Sequence, residues 1–191
     1  MTDQEEKRLR EYGVAVLPNK IDEAAYELML DVTLIRRGNP IYLYCAGAGG
    51  STWDALAMVD LIQEQGRVIG LQPGTAASAH LDIFLGCSQR FVFPHAGIGV
   101  HEAGYSHNGD TFDMRGARSF ADDLVRLNEQ IAHLYAAASN RDVAWWRELL
   151  KEVGNTGCRW FGADEILSMG MARPVAEFER DTVAALPMRL G

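Results

Sequence analysis

The stretch PIYLYCAGAGGSTWDALAMVDLIQEQG, residues 40 to 66, limits the possible folds more than any other part of the chain. Its first half is a continuous apolar run with no polar alternation, the mark of a strand buried on both faces, and it breaks at GAGG. A helical pattern follows from about Thr52, with Ser51 and Asp54 as a start signal and Gly66 as a stop. The order then recurs. RVIGLQ reads as a strand, GTAAS as a turn and residues 79 to 86 as a helix, after which RFVFP and GIGVH return to strand. Upstream, YGVAVLP (12 to 18) is a short strand, and the next segment places apolar residues at Ile21, Ala25, Leu28, Val32 and Ile35, one face of a helix. Strand, turn and helix in repetition imply an α/β fold with a largely parallel sheet, whose sites gather at the carboxyl ends of its strands. Both Gly-rich turns lie at such ends.

Further along, Phe120, Leu124, Leu127, Ile131, Leu134 and Ala138 repeat at helical spacing and predict a long helix over Met114–Ala138 with an apolar face to cover. DVAWWRELLKEV is a further helix, GADEILSMG a short one stopped by Gly170, and the tail after Ala176 carries little pattern. A chain of 191 residues that is 48% hydrophobic can bury a substantial single core, and it holds no linker, repeat or low-complexity tract.

Several classes are disfavoured. Eighteen basic against 26 acidic side chains give a net charge of −8, and no basic block exceeds Arg36-Arg37, so nucleic acid is not an expected partner. Cys45, Cys87 and Cys158 are odd in number and lack CxxC spacing, which argues against a disulfide framework or zinc site and for a reducing cytoplasm. The N-terminal MTDQEEKRLREYG is charged where a signal peptide needs an apolar core, and no run of about 18 apolar residues suggests a membrane span. GAGGS has neither the following Lys of a P-loop nor dinucleotide-type Gly spacing. No cofactor and no metal are expected.

The candidate nucleophiles in turns are Ser51, Ser78 and Cys158, and the candidate bases are His80, His95, His101, His107 and His133. A Ser at a strand-to-helix turn exposes its hydroxyl beside free backbone N–H groups that could hold an oxyanion. Ser is equally a preferred N-cap, and a His closing a strand is commonly a hydrogen-bonded structural residue. The residue types alone leave both roles open.

The order of the motifs narrows them. IYLYCAGAGGSTWDALAMVDLIQ, GTAASA, GIGVHEAG and RWFGADEILSMGMA together resemble the proteolytic subunit of the Clp protease, the ClpP family of serine peptidases in the ClpP/crotonase superfamily. That family runs through a strand, a Ser-Pro-Gly-Gly-Ser turn, a helix, a strand, Gly-x-Ala-Ala-Ser and a later strand ending in the catalytic His. Here 28 positions separate Gly50 from Ser78 and 23 separate Ser78 from His101, and the resemblance spans about residues 12 to 176.

The resemblance implies an α/β spiral of strand-turn-helix units with a protruding handle. It implies one domain over 1–191, with a head (about 12–113 and 139–176), a handle region (about 103–138) and a tail (177–191). Ser78 would attack the scissile carbonyl, His101 would act as general base, and the N–H groups of Gly50 and Ala79 would form the oxyanion hole. Gly49, Glu102, Ala103, Gly104 and Tyr105 would receive an extended peptide or unfolded protein as an added strand. The handle would support a homo-oligomeric, heptameric ring, single or double.

Four departures qualify these expectations. Cys158 stands where the family has its third catalytic residue, an Asp, with Asn155, Asp82 and Glu102 as candidate substitutes. Ala48 replaces the family Pro, and only about eleven residues precede the first strand, which argues against coupling to a Clp-type ATPase. His80 and Asp82 are unexpected in a helix that is largely apolar in the family. The leading expectation is thus a cytoplasmic ClpP-like serine endopeptidase, ATPase-independent or of the phage capsid-maturation type. The alternatives are a non-catalytic ring subunit with a decayed triad and a crotonase-type acyl-CoA enzyme.

Overall fold

The computed structural model describes residues 3–36, 38–104, 113–154 and 157–178. Tyr105, His107 and Asn155, together with the tail beyond residue 178, lie outside the described residues.

A helix α1 (Asp3–Glu11) leads into β1 (Val14–Val16), β2 (Lys20–Ile21) and α2 (Glu23–Ile35). The apolar run forms β3 (Ile41–Tyr44), and after the Gly-rich turn come β4 (Gly49–Gly50) and α3 (Thr52–Gln65). The second unit is β5 (Val68–Gln72), β6 (Thr75–Ala77) and α4 (Ala79–Gly86), followed by β7 (Gln89–Val92) and β8 (Gly97–Val100). The chain continues through α5 (Met114–Ala137), α6 (Val143–Val153), β9 (Arg159–Gly162), α7 (Ala163–Ser168) and β10 (Arg173–Pro174).

Five strands in the order β1-β3-β5-β7-β10 form a parallel sheet. Ile41 and Leu43 of β3 are fully buried, as an inner strand of such a sheet requires. A smaller sheet, β6-β8-β9, pairs β6 with β8 in parallel and β8 with β9 antiparallel. The bridge between Gly47 and Ala76 links its rim to the Gly-rich turn, and β2 pairs with β4 beside it.

The helix α4 sits where these layers meet, and all eight of its residues are buried. Leu81, Ile83, Phe84 and Leu85 show why: burying each contributes roughly 1.5–3 kcal/mol, and no polar face remains to meet water. His80 and Asp82 are the exceptions in this apolar run, and both are buried as well. In contrast, α5 is strongly amphipathic, burying Leu127, Ile131, Ala132 and Tyr135 while Val125 on another face is exposed. Among the described residues no helix is long and apolar enough to cross a membrane.

Candidate active site

The two Gly- and Ala-rich turns each deliver a serine to the start of a helix, and the serines behave differently. Ser51, with φ −68°, accepts a 3.2 Å hydrogen bond from the Asp54 N–H and is an ordinary N-cap. Ser78 has φ +53° and ψ −129°, the only positive φ of a non-glycine among the described residues, and its side chain makes no capping bond. Such a conformation costs about 1–3 kcal/mol and persists only where its surroundings enforce it. Here the Ser78 N–H donates to Gly99 O (3.1 Å), and the Ser78 carbonyl accepts from the Leu81 (2.8 Å) and Asp82 (3.1 Å) N–H groups. The backbone is held at both sides while the half-buried hydroxyl is left without a hydrogen-bond partner among the described residues.

The Gly-rich turn lies directly against it. A Cβ on Gly49 (φ +116°) would come within 2.6 Å of Ser78 Cβ and 3.1 Å of its Oγ, and a Cβ on Gly50 (φ +151°) would collide with the Ile21 backbone. Only glycine permits this double approach. The Ser51 N–H donates to Ile21 O at 2.8 Å, which anchors the turn to β2. The Ala79 N–H is the first of α4 and has no acceptor within the helix, so it is available near the Ser78 side chain.

His101 follows β8 immediately, two residues after the Gly99 carbonyl that holds Ser78. Its Nδ1 lies 2.8 Å from the carbonyl oxygen of Glu102. A carbonyl only accepts, so Nδ1 carries the proton and Nε2 presents a lone pair, the tautomer a general base needs. No hydrogen bond joins His101 to Ser78 Oγ, or to Asp82, among the described residues. Of the other histidines, His95 is exposed and His133 pairs with Glu129 at the surface of α5.

The β8–β9 ladder pairs Gly99 with Trp160 and Val100 with Arg159, so one step further His101 falls opposite Cys158. The Cys158 Sγ sits 2.9 Å from where a Gly99 Cβ would be, and the exposed Trp160 indole covers the same spot. Burial raises the Cys158 thiol above its ordinary value, so it is uncharged at neutral pH and supplies no anion beside the imidazole.

The remaining candidates go elsewhere. Asp82 points to α5, where the Tyr135 hydroxyl donates to its Oδ1 at 2.9 Å; both side chains are 1% exposed. Burial raises the Asp82 carboxyl to about 7, against which the Tyr135 hydrogen bond works. His80 packs on Gly47, its Nε2–H donates to Pro18 O (3.0 Å), and its buried Nδ1 has no partner, so burial lowers its basicity.

The segment after His101 is also occupied. The Glu102 N–H donates to Gly154 O (2.9 Å), the Ala103 N–H to Asn128 Oδ1 (2.7 Å), and Asn128 Nδ2 donates to Ala103 O (3.3 Å). A strand added here must exchange with these bonds at residues 102 and 103, while Gly104 is exposed. Sequence reasoning missed Asn128. Its polar place within the amphipathic α5 was the available signal.

Taken together, a parallel α/β core with a strained serine at a strand-to-helix turn and a histidine closing the neighbouring strand define a peptidase frame of the ClpP type. A mutant of ClpP1 from Listeria monocytogenes with one asparagine changed to aspartate shares the fold: TM-score 0.71, 19% identity, 87% of this chain and 92% of that one covered. The model of the Clp protease family matches residues 3–178, and the chain belongs to that family. A search of the curated proteins by sequence found no match.

Proposed function

We propose that the protein is a serine endopeptidase that cleaves peptides or unfolded proteins through an acyl-enzyme on Ser78. The observation that carries this reading is the uncapped, positive-φ Ser78 pressed against Gly49. His101 Nε2 takes the Ser78 proton as Oγ attacks the scissile carbonyl, and the imidazolium then protonates the leaving amine. Catalytic hydrogen bonds are commonly long before substrate arrives, and the free Ser78 hydroxyl is in keeping with that. The Gly50 and Ala79 N–H groups stabilise the tetrahedral oxyanion, and water releases the acyl group by the same route in reverse.

The third role falls to the Glu102 carbonyl. It holds the His101 tautomer as a carboxylate would, but as a dipole it stabilises imidazolium less. Loss of a catalytic carboxylate costs on the order of 10⁴ in rate, about 5 kcal/mol, so a slow enzyme is expected. The chain works as one ClpP-like domain within a homo-oligomeric, heptameric ring in the cytoplasm. A second reading, a ring subunit that has lost catalysis, draws its support from the uncharged Cys158 opposite His101.

A fluorophosphonate that phosphonylates activated serines separates the two. Intact mass should show one label per chain, absent in Ser78→Ala and strongly slowed in His101→Ala. An unlabelled wild-type oligomer would support the non-catalytic reading.

A further inference from the structure

The nucleophile helix α4 holds an acid that the reaction above does not use. Asp82 lies one helical turn beyond Ser78, and its N–H closes on the Ser78 carbonyl (3.1 Å), so displacement at Asp82 is passed directly to the nucleophile's backbone. Its carboxyl is tied to Tyr135 of α5 across 53 residues of sequence. Tyr135 is itself locked. Its ring packs edge-on against Trp146 of α6 with centroids 5.1 Å apart, and its carbonyl accepts from Ser139 Oγ, which accepts from Trp146 Nε1. The pair is thus a rigid strut from the α5–α6 layer to the helix that carries Ser78.

Resting on the nucleophile reading of Ser78, we propose that Asp82 and Tyr135 are a positioning pair, which holds α4 in register with α5 while Asp82 is protonated and releases it when Asp82 ionises.

The surroundings of Asp82 explain why ionisation should release it. Tyr135 is the titratable group that faces it from α5, and the uncharged Cys158 thiol influences Tyr135 but not Asp82. The α3 helix turns Ala55, Met58, Val59 and Ile62 inward; β4, β5, β6 and β8 bring glycine, alanine and aliphatic side chains, with the neutral Gln72. His80 is on α4 itself but two residues away, bonded to Pro18 O instead. No cation faces Asp82 among the described residues. A carboxylate here keeps one hydrogen bond and loses its hydration, and relief comes from opening the α4–α5 contact to water. The folded-state value near 7 lies above the ordinary 3.8, so the acid's contribution to stability is complete below about pH 4 and is gone above about pH 7.

The test follows fluorophosphonate labelling of Ser78 from pH 5 to 9 and thermal melting from pH 4 to 9 in wild type, Asp82→Asn and Tyr135→Phe. Wild-type labelling should fall above pH 7 by about tenfold, since a nucleophile misplaced by about 1 Å can lose up to about 10²-fold. Asp82→Asn should keep its rate on the alkaline side and flatten the fall in melting temperature between pH 4 and 7. Tyr135→Phe, which keeps the ring packing, should label more slowly at its optimum. Its alkaline limb should move to higher pH, because the lost hydrogen bond had favoured the carboxylate. Identical alkaline limbs in wild type and both variants would overturn the pair and leave Ser78 as nucleophile. No wild-type label at any pH would overturn the nucleophile reading and the positioning role with it, even if Asp82→Asn still altered the melting profile.

Discussion

Ser51 and Ser78 occupy like places, each at the end of a Gly- or Ala-rich turn and each at the start of a helix, half-buried α3 for the first and fully buried α4 for the second. Ser51 satisfies the helix behind it; Ser78 leaves its helix uncapped and sits in a conformation that no local interaction favours. The first serine serves stability and the second is maintained against it. Residue type and turn setting alone treat them alike, whereas backbone angle and hydrogen bonding separate the capping serine from the strained one.

The sharpest way to break this contrast is Ser78→Gly. It should abolish peptide turnover while raising the melting temperature, because relief of about 1–3 kcal/mol of strain exceeds the roughly 0.5–1 kcal/mol entropic cost of glycine. A variant less stable than wild type would show that Ser78 is held by favourable contacts after all. Next in size is Gly49→Ala, whose Cβ meets Ser78 at 2.6 Å in a positive-φ position. Turnover measured on an unstructured peptide should fall by about 10²-fold. Cys158→Asp would place a carboxylate opposite His101 and should raise Ser78-dependent turnover by about tenfold, with about 10⁴-fold as the ceiling. The mildest change is Ser51→Ala, with about 1 kcal/mol lost in chemical denaturation and labelling of Ser78 unchanged. An equal loss of labelling there would erase the distinction between the two turns.

Where periodicity is long and local, the sequence was easy to read. The α3 boundaries follow from Ser51 and Gly66, and α5 ends at Ala137, with Ala138 as its cap, against an expected end at Ala138. The short strands β2, β4, β6 and β9 were not legible, because two to four residues become strand only through partners elsewhere in the chain. The helix α1 was missed too, since its charged sequence shows no apolar stripe. At the candidate site, motif order pointed to Ser78 and His101, but nothing in the sequence pointed to the partners of Asp82 and Ala103. Tyr135 lies 53 positions from the first and Asn128 lies 25 from the second, so no spacing rule connects them.

Asn128 carries a consequence for how a substrate would enter. A carboxamide is chemically a peptide group, and by offering both its acceptor and its donor to Ala103 it imitates one residue of an absent strand. The edge beside His101 is therefore plugged by a built-in surrogate. A strand added at that edge would have to displace the carboxamide, and hydrogen bonds would be conserved in number. Main-chain pairing at that position would add little net affinity, so residence time would depend on side chains and on neighbouring positions. Since the surrogate is carried by α5, the edge beside His101 is hydrogen-bonded directly to that helix.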